Sequence, residues 1–260
     1  MKYSEEMLEL FIYWVNARDA IWHRRQMGLP RDRWTTDPIL RNYHFCNTER
    51  ERDRGTIEIR KVVDEFGVFT NYLPEVYTAA RMFNSAATLR VLLQGGFDAV
   101  RRVRDNGAII FNTAYVVSTC GESMDKIDYV ERVVSEVKKM TISRDSCASA
   151  FRRLREVSGL GSFLAGQIVA DLKNDRYLIG ANDWETFSVM GPGSKKGLDF
   201  IFGPGTTEKT YEERISSLAT LVSGKIPKLH RQDLQNCLCE FSKYMRVKRG
   251  GHVRNKYAAA

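Results

Sequence analysis

The sequence predicts a mainly α-helical protein. Apolar residues recur at helical spacing through most of the 260 residues, as in residues 4–27, where Leu8, Phe11 and Val15 fall on one face. The chain has only six prolines and no internal repeat. Short β-branched runs such as 115–118 lack the turn residues that flank a hairpin of strands. These observations favour helices packed around a sizeable core.

The individual helices follow from this periodicity and from signals at their ends. Asp37-Pro38 combines a favoured N-cap with a proline at the first helical position, and predicts a helix to about Tyr43. Glycine-rich segments at 180–183 and 191–206 predict loops. The predicted helices span residues 4–27, 38–43, 56–66, 72–93, 97–105, 109–119, 125–140, 145–156, 162–172, 184–190, 208–223 and 230–246.

Composition is that of an ordinary globular chain, with 43% apolar and 28% charged residues. No apolar run approaches the ~20 residues that span a bilayer, and the N-terminus does not resemble a signal peptide, so we expect a cytoplasmic protein. The length allows one large domain or two small ones. We expect one helical, glycosylase-like domain of two lobes over 1–250 with a cleft between the lobes, followed by a basic, flexible tail at 251–260. The N-terminal lobe is expected to contain residues 37–54 and the returning C-terminal helix.

The net charge of +8 fits either a polyanionic partner or a generic basic surface, so the motifs must decide between them. Five irregularly spaced cysteines predict reduced, mostly buried thiols rather than disulfides or a zinc site. These are Cys46, Cys120, Cys147, Cys237 and Cys239. The four histidines are scattered, so no metal site is predicted.

A glycine turn opens the segment SGLGSFLAGQIVADL at 158–172. Together with the preceding helix it resembles the helix-hairpin-helix pattern, placed here at 150–172. Glycine permits a turn with positive φ and leaves backbone N–H groups uncovered at a helix N-terminus, which suits a phosphate oxygen. The predicted DNA-backbone contacts are Gly159, Gly161, Ser162 and Phe163. The alternative is a plain corner between two helices, closed by a glycine C-cap.

Asp183 follows the second glycine of this turn by 22 residues. In helix-hairpin-helix DNA glycosylases, which this spacing resembles, such an aspartate faces a nucleotide flipped out of the duplex. Phe163 stands where the lyases of that group carry lysine, which disfavours Schiff-base chemistry. Asp183 could instead only cap a helix at 184–190.

Three further segments suggest phosphate chemistry. DPILRNYHFCNTERERDR at 37–54 holds arginines among aromatic and acidic residues, and these arginines either grip phosphates or form ion pairs on a solvated helix. GPGSKKG at 191–197 could cradle phosphate or be a surface turn, and it is not a Walker loop. LQNCLCEFSKYMR at 234–246 brings Glu240, Lys243 and Arg246 together, as helical ion pairs or as the lining of a polar pocket.

The order of these segments resembles the alpha-glutamyl/putrescinyl thymine pyrophosphorylase family over residues 8–250. The residues that carry the resemblance are Arg18 and Arg24-Arg25, W-T-T-D-P-I-L, F-C-N-T-E-R-E-R-D-R, the glycine hairpin, GPGSKKGL and LCEFSKYMR. Cys46 stands where the family pattern has threonine. Members are relatives of the helix-hairpin-helix glycosylases, found largely in bacteriophages with hypermodified thymine, so the implied setting is a phage-infected bacterial cell.

The resemblance implies a transferase that flips a pyrophosphorylated hydroxymethyluracil out of double-stranded DNA and replaces its pyrophosphate with an amino acid or polyamine. No resident cofactor is implied, although Mg²⁺ could accompany the pyrophosphate, and a monomer is expected. The implied catalytic carboxylates are Asp183 and Glu185. The implied pyrophosphate ligands are Asn47, Arg50, Arg54, Ser194, Lys195 and Lys196, and the implied substrate pocket is lined by Asp53, Glu240 and Lys243. A glycosylase acting on a modified pyrimidine and a non-catalytic DNA-binding module are the alternatives.

Overall fold

A computed structural model describes residues 1–112, 118–119, 121–253 and 256–257. Within these ranges the chain forms eleven α-helices and no β-strand, apart from an isolated bridge between Tyr43 and Lys256, so the predicted mainly α-helical class is confirmed. The helices are α1 (Glu5–Gln26), α2 (Pro38–Asn42), α3 (Arg54–Glu65), α4 (Leu73–Phe83), α5 (Ala86–Asp105), α6 (Lys126–Lys138), α7 (Cys147–Leu154), α8 (Ser162–Lys173), α9 (Pro192–Phe202), α10 (Glu208–Val222) and α11 (Arg231–Lys248).

The chain divides into two compact units. Unit 1 comprises Met1–Arg50 and Ser188–Ala260, and unit 2 comprises Glu51–Phe187. The motif at 37–54 is therefore divided between the units after Arg50. No helix within the described residues is long and apolar enough to cross a membrane.

Unit 1 is built on α1, α9 and α11. Their apolar faces share one core, in which the Phe11 and Phe241 rings meet edge to face with centroids 5.3 Å apart, and Trp14 is fully buried. Asp37 begins α2 as predicted, because its Oδ1 accepts hydrogen bonds from the amides of Ile39 and Leu40 at 2.8 and 3.0 Å.

Unit 2 is centred on α4, which is buried at nearly every position and packs against α6 and α8. Arg81 on α4 forms a buried ion pair with Asp171 on α8, and its Nη2 also donates to Thr56 Oγ1 at 3.0 Å. The core of unit 2 therefore contains a buried ion pair as well as apolar surface.

Four predicted elements differ from the structure. The helix at 72–93 is interrupted at Asn84, which adopts a left-handed φ of +50° before Ser85 caps α5. The helix at 184–190 is absent, since 182–186 form turns, and the loop at 191–206 contains α9. Residues 109–112 are not helical, and the rest of the predicted helix at 109–119 lies almost wholly outside the described residues, as does most of the run 115–118. Cys120 also lies outside them, and the other four cysteines are free thiols, of which only Cys46 is exposed.

Candidate functional site

In unit 2, the glycine turn connects α7 to α8. Gly159 has a φ of +100°, and a Cβ there would lie 2.4 Å from Tyr129 Oη, so only glycine fits. Gly161 has a φ of −66° and open space around it, and no side chain caps α8. Leu160 is buried, as its position between two helices predicts. The first backbone amides of α8 therefore remain available for an anion.

A cation lies beside this helix start. The Arg155 guanidinium donates to Ser162 Oγ in the first turn of α8. The N-terminus of a helix is the positive end of its dipole, so a cation is unfavourable there unless an anion binds between the cation and the helix end. Phe163, next to Ser162, is 57% exposed. Sequence reasoning missed Arg155, although the run FRRLR at 151–155 marked this end of α7 as basic.

Asp183 caps a helix other than the predicted one. Its carboxylate accepts hydrogen bonds from the Ser146 hydroxyl at 2.9 Å and from the amides of Cys147 and Ala148 at 2.7 and 2.9 Å, all at the start of α7. Partial burial opposes the shift, but the hydrogen bonds from Ala148, Cys147 and Ser146 outweigh it and lower the pKa of Asp183. A carboxylate in this state is a weak base. Glu185, two residues farther along the turn, is exposed.

Two predicted site residues of the segment at 37–54, Asp53 and Arg54, fall in unit 2 and have local partners. Asp53 caps α3 by accepting from the Thr56 amide at 2.9 Å. Arg54 is exposed and pairs with Glu58 one turn later, with Nε and Oε1 2.7 Å apart. Their predicted roles toward the pocket and the pyrophosphate are not served by these contacts and stay predictions.

In unit 1, the segment 45–50 is fixed against α1 and α11. The Arg18 side chain, which is 3% exposed, donates to the Phe45 carbonyl at 3.1 Å and to Asn47 Oδ1 at 2.5 Å. The Arg50 amide donates to Asp233 Oδ1 at 2.9 Å. Arg18 thus positions the side chain of Asn47, which is predicted to bind phosphate, from within the core.

Glu240 and Lys243 meet at the adjoining part of α11. Glu240 Oε2 accepts from the Cys46 amide at 3.0 Å and from Lys243 Nζ at 3.2 Å. Lys243 Nζ also donates to the His44 carbonyl and lies 4.8 Å from the centre of the Phe45 ring. The predicted pairing of Glu240 with Lys243 is therefore present in the structure.

Further cations surround His44. Burial, Lys243, Arg25 and Arg31 all lower the pKa of His44, because each disfavours the charged imidazolium. Two of these arginines also contact aromatic rings: Arg25 lies 5.0 Å from the Trp34 ring centre, and Arg31 lies 5.5 Å from that of Tyr257.

A cavity of about 520 Å³ opens beside this cluster. Its lining consists of Gly193, Cys239, Glu240, Ser242, Lys243, Arg246, His252 and Val253. The segments GPGSKKG and LCEFSKYMR therefore meet at one pocket, which contains two of the three residues predicted for the substrate; Asp53 is not among the lining residues.

The glycines of GPGSKKG serve packing. A Cβ on Gly193 would lie 2.3 Å from Cys239 Sγ, and one on Gly197 would lie 2.5 Å from the Leu238 carbonyl oxygen, so both allow α9 to approach α11 closely. The buried Ser194 hydroxyl accepts from the Gly191 amide and donates to the Gly191 carbonyl. Lys195 and Lys196 are exposed. Their predicted phosphate contacts stay predictions, and the backbone here is helical.

The two units differ in charge. Unit 1 carries 21 Lys and Arg against 13 Asp and Glu, whereas unit 2 carries 19 of each. The entire net charge of +8 therefore belongs to unit 1. Within the described residues, no group of three or more His, Cys, Asp and Glu side chains could hold a metal ion.

Comparison with known proteins identifies the family. Residues 5–253 match the family described as "5-hmdU DNA kinase, helical domain", and the chain belongs to this family. A 5-hmdU DNA kinase of Bacillus phage SP10 is 22% identical over 282 aligned positions, which cover 90% of this chain. The chain spans less than half, 44%, of that relative. No solved structure matches.

Proposed function

We propose that this protein modifies 5-hydroxymethyluracil in DNA by exchanging a pyrophosphate on the base for an amine. The observation that carries the proposal is the match to the helical domain of 5-hmdU DNA kinases over nearly the whole chain. The sequence contains no G-x₄-G-K-[S/T] segment, the loop with which P-loop enzymes bind ATP phosphates. The amine exchange itself is supported by the order of segments that resembles the thymine pyrophosphorylase family over residues 8–250.

The reaction balances as a substitution at the exocyclic methylene carbon. A neutral amine attacks this carbon, a C–N bond forms, and the C–O bond breaks with its electron pair leaving on pyrophosphate. The attached nitrogen then loses one proton. Because the leaving group gains negative charge as the bond breaks, the main contribution required of the protein is positive charge in a fixed position. Unit 1 offers that charge in Lys243 and Arg246.

The DNA backbone is assigned to the open N-terminus of α8 with Arg155, which together suit a phosphate and read no sequence. Of the two predicted carboxylates, Asp183 is the poorer candidate for the proton acceptor, since the hydrogen bonds to it make it a weak base. Asp183 then has a positioning role through the start of α7.

The test uses synthetic duplexes that contain either 5-hydroxymethyluracil or its pyrophosphate ester. The protein is incubated with each duplex and a panel of amino acids and polyamines, the DNA is digested, and the nucleosides are measured by mass spectrometry. We expect an aminated nucleoside and released pyrophosphate from the ester duplex alone. Recovery of intact ester with every amine would refute the exchange, and abasic sites with free base would indicate a glycosylase instead.

A second candidate is a DNA-recognition module for kinase chemistry performed by another polypeptide. The printed name of the phage relative and the 44% coverage of its length favour it. Fluorescence anisotropy separates the two candidates. A recognition module should bind the 5-hydroxymethyluracil duplex more tightly than the ester duplex, whereas a pyrophosphate-displacing enzyme should show the reverse preference.

A further inference from the structure

The pocket of unit 1 is of a size suited to a small molecule. Its volume of about 520 Å³ falls in the range of roughly 300–1,000 Å³ that is usual for ligand sites. One wall is a single face of α11, which presents residues 239, 242, 243 and 246 at helical spacing.

Backbone features on two sides close the pocket. Gly193 brings the first turn of α9 against Cys239, because any side chain there would overlap the sulfur. At the other side, Gly250 has a φ of +77° and ends α11, and the Gly251 amide donates to the Arg246 carbonyl at 2.8 Å. A Cβ on Gly251 would lie 2.7 Å from Arg246 Cγ, so glycine lets the following residues pass close to Arg246.

The pocket has an excess of positive charge. Glu240 is the acidic member of its lining, and its Oε2 already accepts from Lys243 Nζ and the Cys46 amide. Arg246 is exposed and forms no ion pair with any described residue. A guanidinium stays charged at all physiological pH values and has five donors in a planar fork that matches an oxyanion. The charge that lacks a partner is therefore positive.

We propose that this pocket binds an oxyanion through Arg246, while Lys243, held in place by Glu240, contributes a second cation. The oxyanion is either the carboxylate of an amino-acid donor or the pyrophosphate group. Only the naming of these two ligands rests on the proposed function. A polyamine is disfavoured because its ammonium groups would lie beside Lys243 and Arg246. If the pocket holds the donor, the amine is accordingly one that also bears a carboxylate.

Binding is measured directly, without DNA or turnover, by isothermal titration of the full chain with sodium pyrophosphate, glutamate and putrescine. We expect one of the two anions to bind and putrescine not to bind. Tighter binding of pyrophosphate assigns the pocket to the phosphate group, and tighter binding of glutamate assigns it to the donor. Binding of neither anion, or binding of putrescine in competition with them, would overturn the proposal.

Arg246→Gln identifies the group responsible. Loss of a charged hydrogen bond of about 1.5–3 kcal/mol predicts roughly 10- to 100-fold weaker anion binding. Lys248→Gln, two residues along α11 and outside the lining, removes the same charge and is the matched control. Both residues are exposed, so both variants should melt like the parent protein. Equal anion affinity in the two variants would refute the role of Arg246. Because no turnover is measured, failure of the amine exchange would leave this result standing.

Discussion

The two units differ in how often their arginines meet carboxylates. In unit 2 the arginines mostly meet carboxylates: Arg81 pairs with Asp171 in the core, and Arg101 bonds Asp128 and Glu131 at the surface. In unit 1 several cations instead meet neutral groups, as Arg25 does the Trp34 ring and Arg24 the Trp34 carbonyl. Carboxylates cancel charge, whereas carbonyls and rings hold it in place without cancelling it. Unit 2 thus uses most of its charge for folding, whereas unit 1 keeps a surplus of positive charge.

The largest expected effect concerns the internal charge of unit 2. Asp171→Ala leaves Arg81 buried without its partner and should lower the free energy of unfolding by about 3–5 kcal/mol. Glu65→Gln breaks an exposed pair with Arg90 and should cost less than about 1 kcal/mol. Urea unfolding followed by circular dichroism compares them. Equal costs would show that the buried pair is not the stabilising element we describe.

The next effect compares glycines of similar local sequence in the two units. Gly193→Ala forces a Cβ against Cys239 and should cost about 1–3 kcal/mol by overpacking. Gly161→Ala meets no atom within 4 Å, so it should change stability by less than about 1 kcal/mol. Thermal melts test this directly. A larger loss of stability in Gly161→Ala than in Gly193→Ala would contradict the packing role of Gly193 and the open surroundings of Gly161.

These glycines also show where sequence reasoning reached its limit. Helix starts with a capping side chain, such as Asp37, could be predicted because the signal is local. The helix α9 could not, since its glycines are typical of a loop and are needed only for contact with α11, more than 40 residues away in the chain. Asp183 was notable from its spacing, but its partners at 146–148 become visible only in the fold. The polar face of α11 was predictable from helical spacing alone.

A smaller effect tests Asp183, a carboxylate of unit 2 that accepts hydrogen bonds from the start of α7. Asp183→Ala removes the hydrogen bonds to the start of α7 and should cost about 1 kcal/mol. Because folding lowers the pKa of Asp183, its contribution is present above the ordinary aspartate pKa of about 3.9 and is lost as pH falls below it. Unfolding midpoints between pH 7 and pH 3 should therefore fall less in Asp183→Asn than in the parent protein. Parallel pH profiles would contradict this.

The smallest effect concerns DNA binding, and it compares an exposed lysine of unit 1 with an ion-paired arginine of unit 2. Lys196→Gln removes an exposed cation of unit 1, and should weaken DNA binding and reduce the slope of log K against log salt by about 0.9 if one phosphate contact is lost. Arg90→Gln removes one charge from unit 2 that is already paired with Glu65, and should leave the slope unchanged. Anisotropy titrations at several salt concentrations give both slopes. A slope that falls in Arg90→Gln and stays unchanged in Lys196→Gln would contradict this prediction.

The division of the chain after Arg50 and before Ser188 has a consequence for synthesis. Unit 2 is one continuous segment, so all of its residues are translated before the second segment of unit 1 is made. Unit 1 needs both ends of the chain, since Phe11 and Trp14 of α1 pack on Phe241 of α11. The apolar face of α1 therefore lacks its partner α11 while more than 200 residues are translated. During that interval a chaperone would find its binding surface on α1.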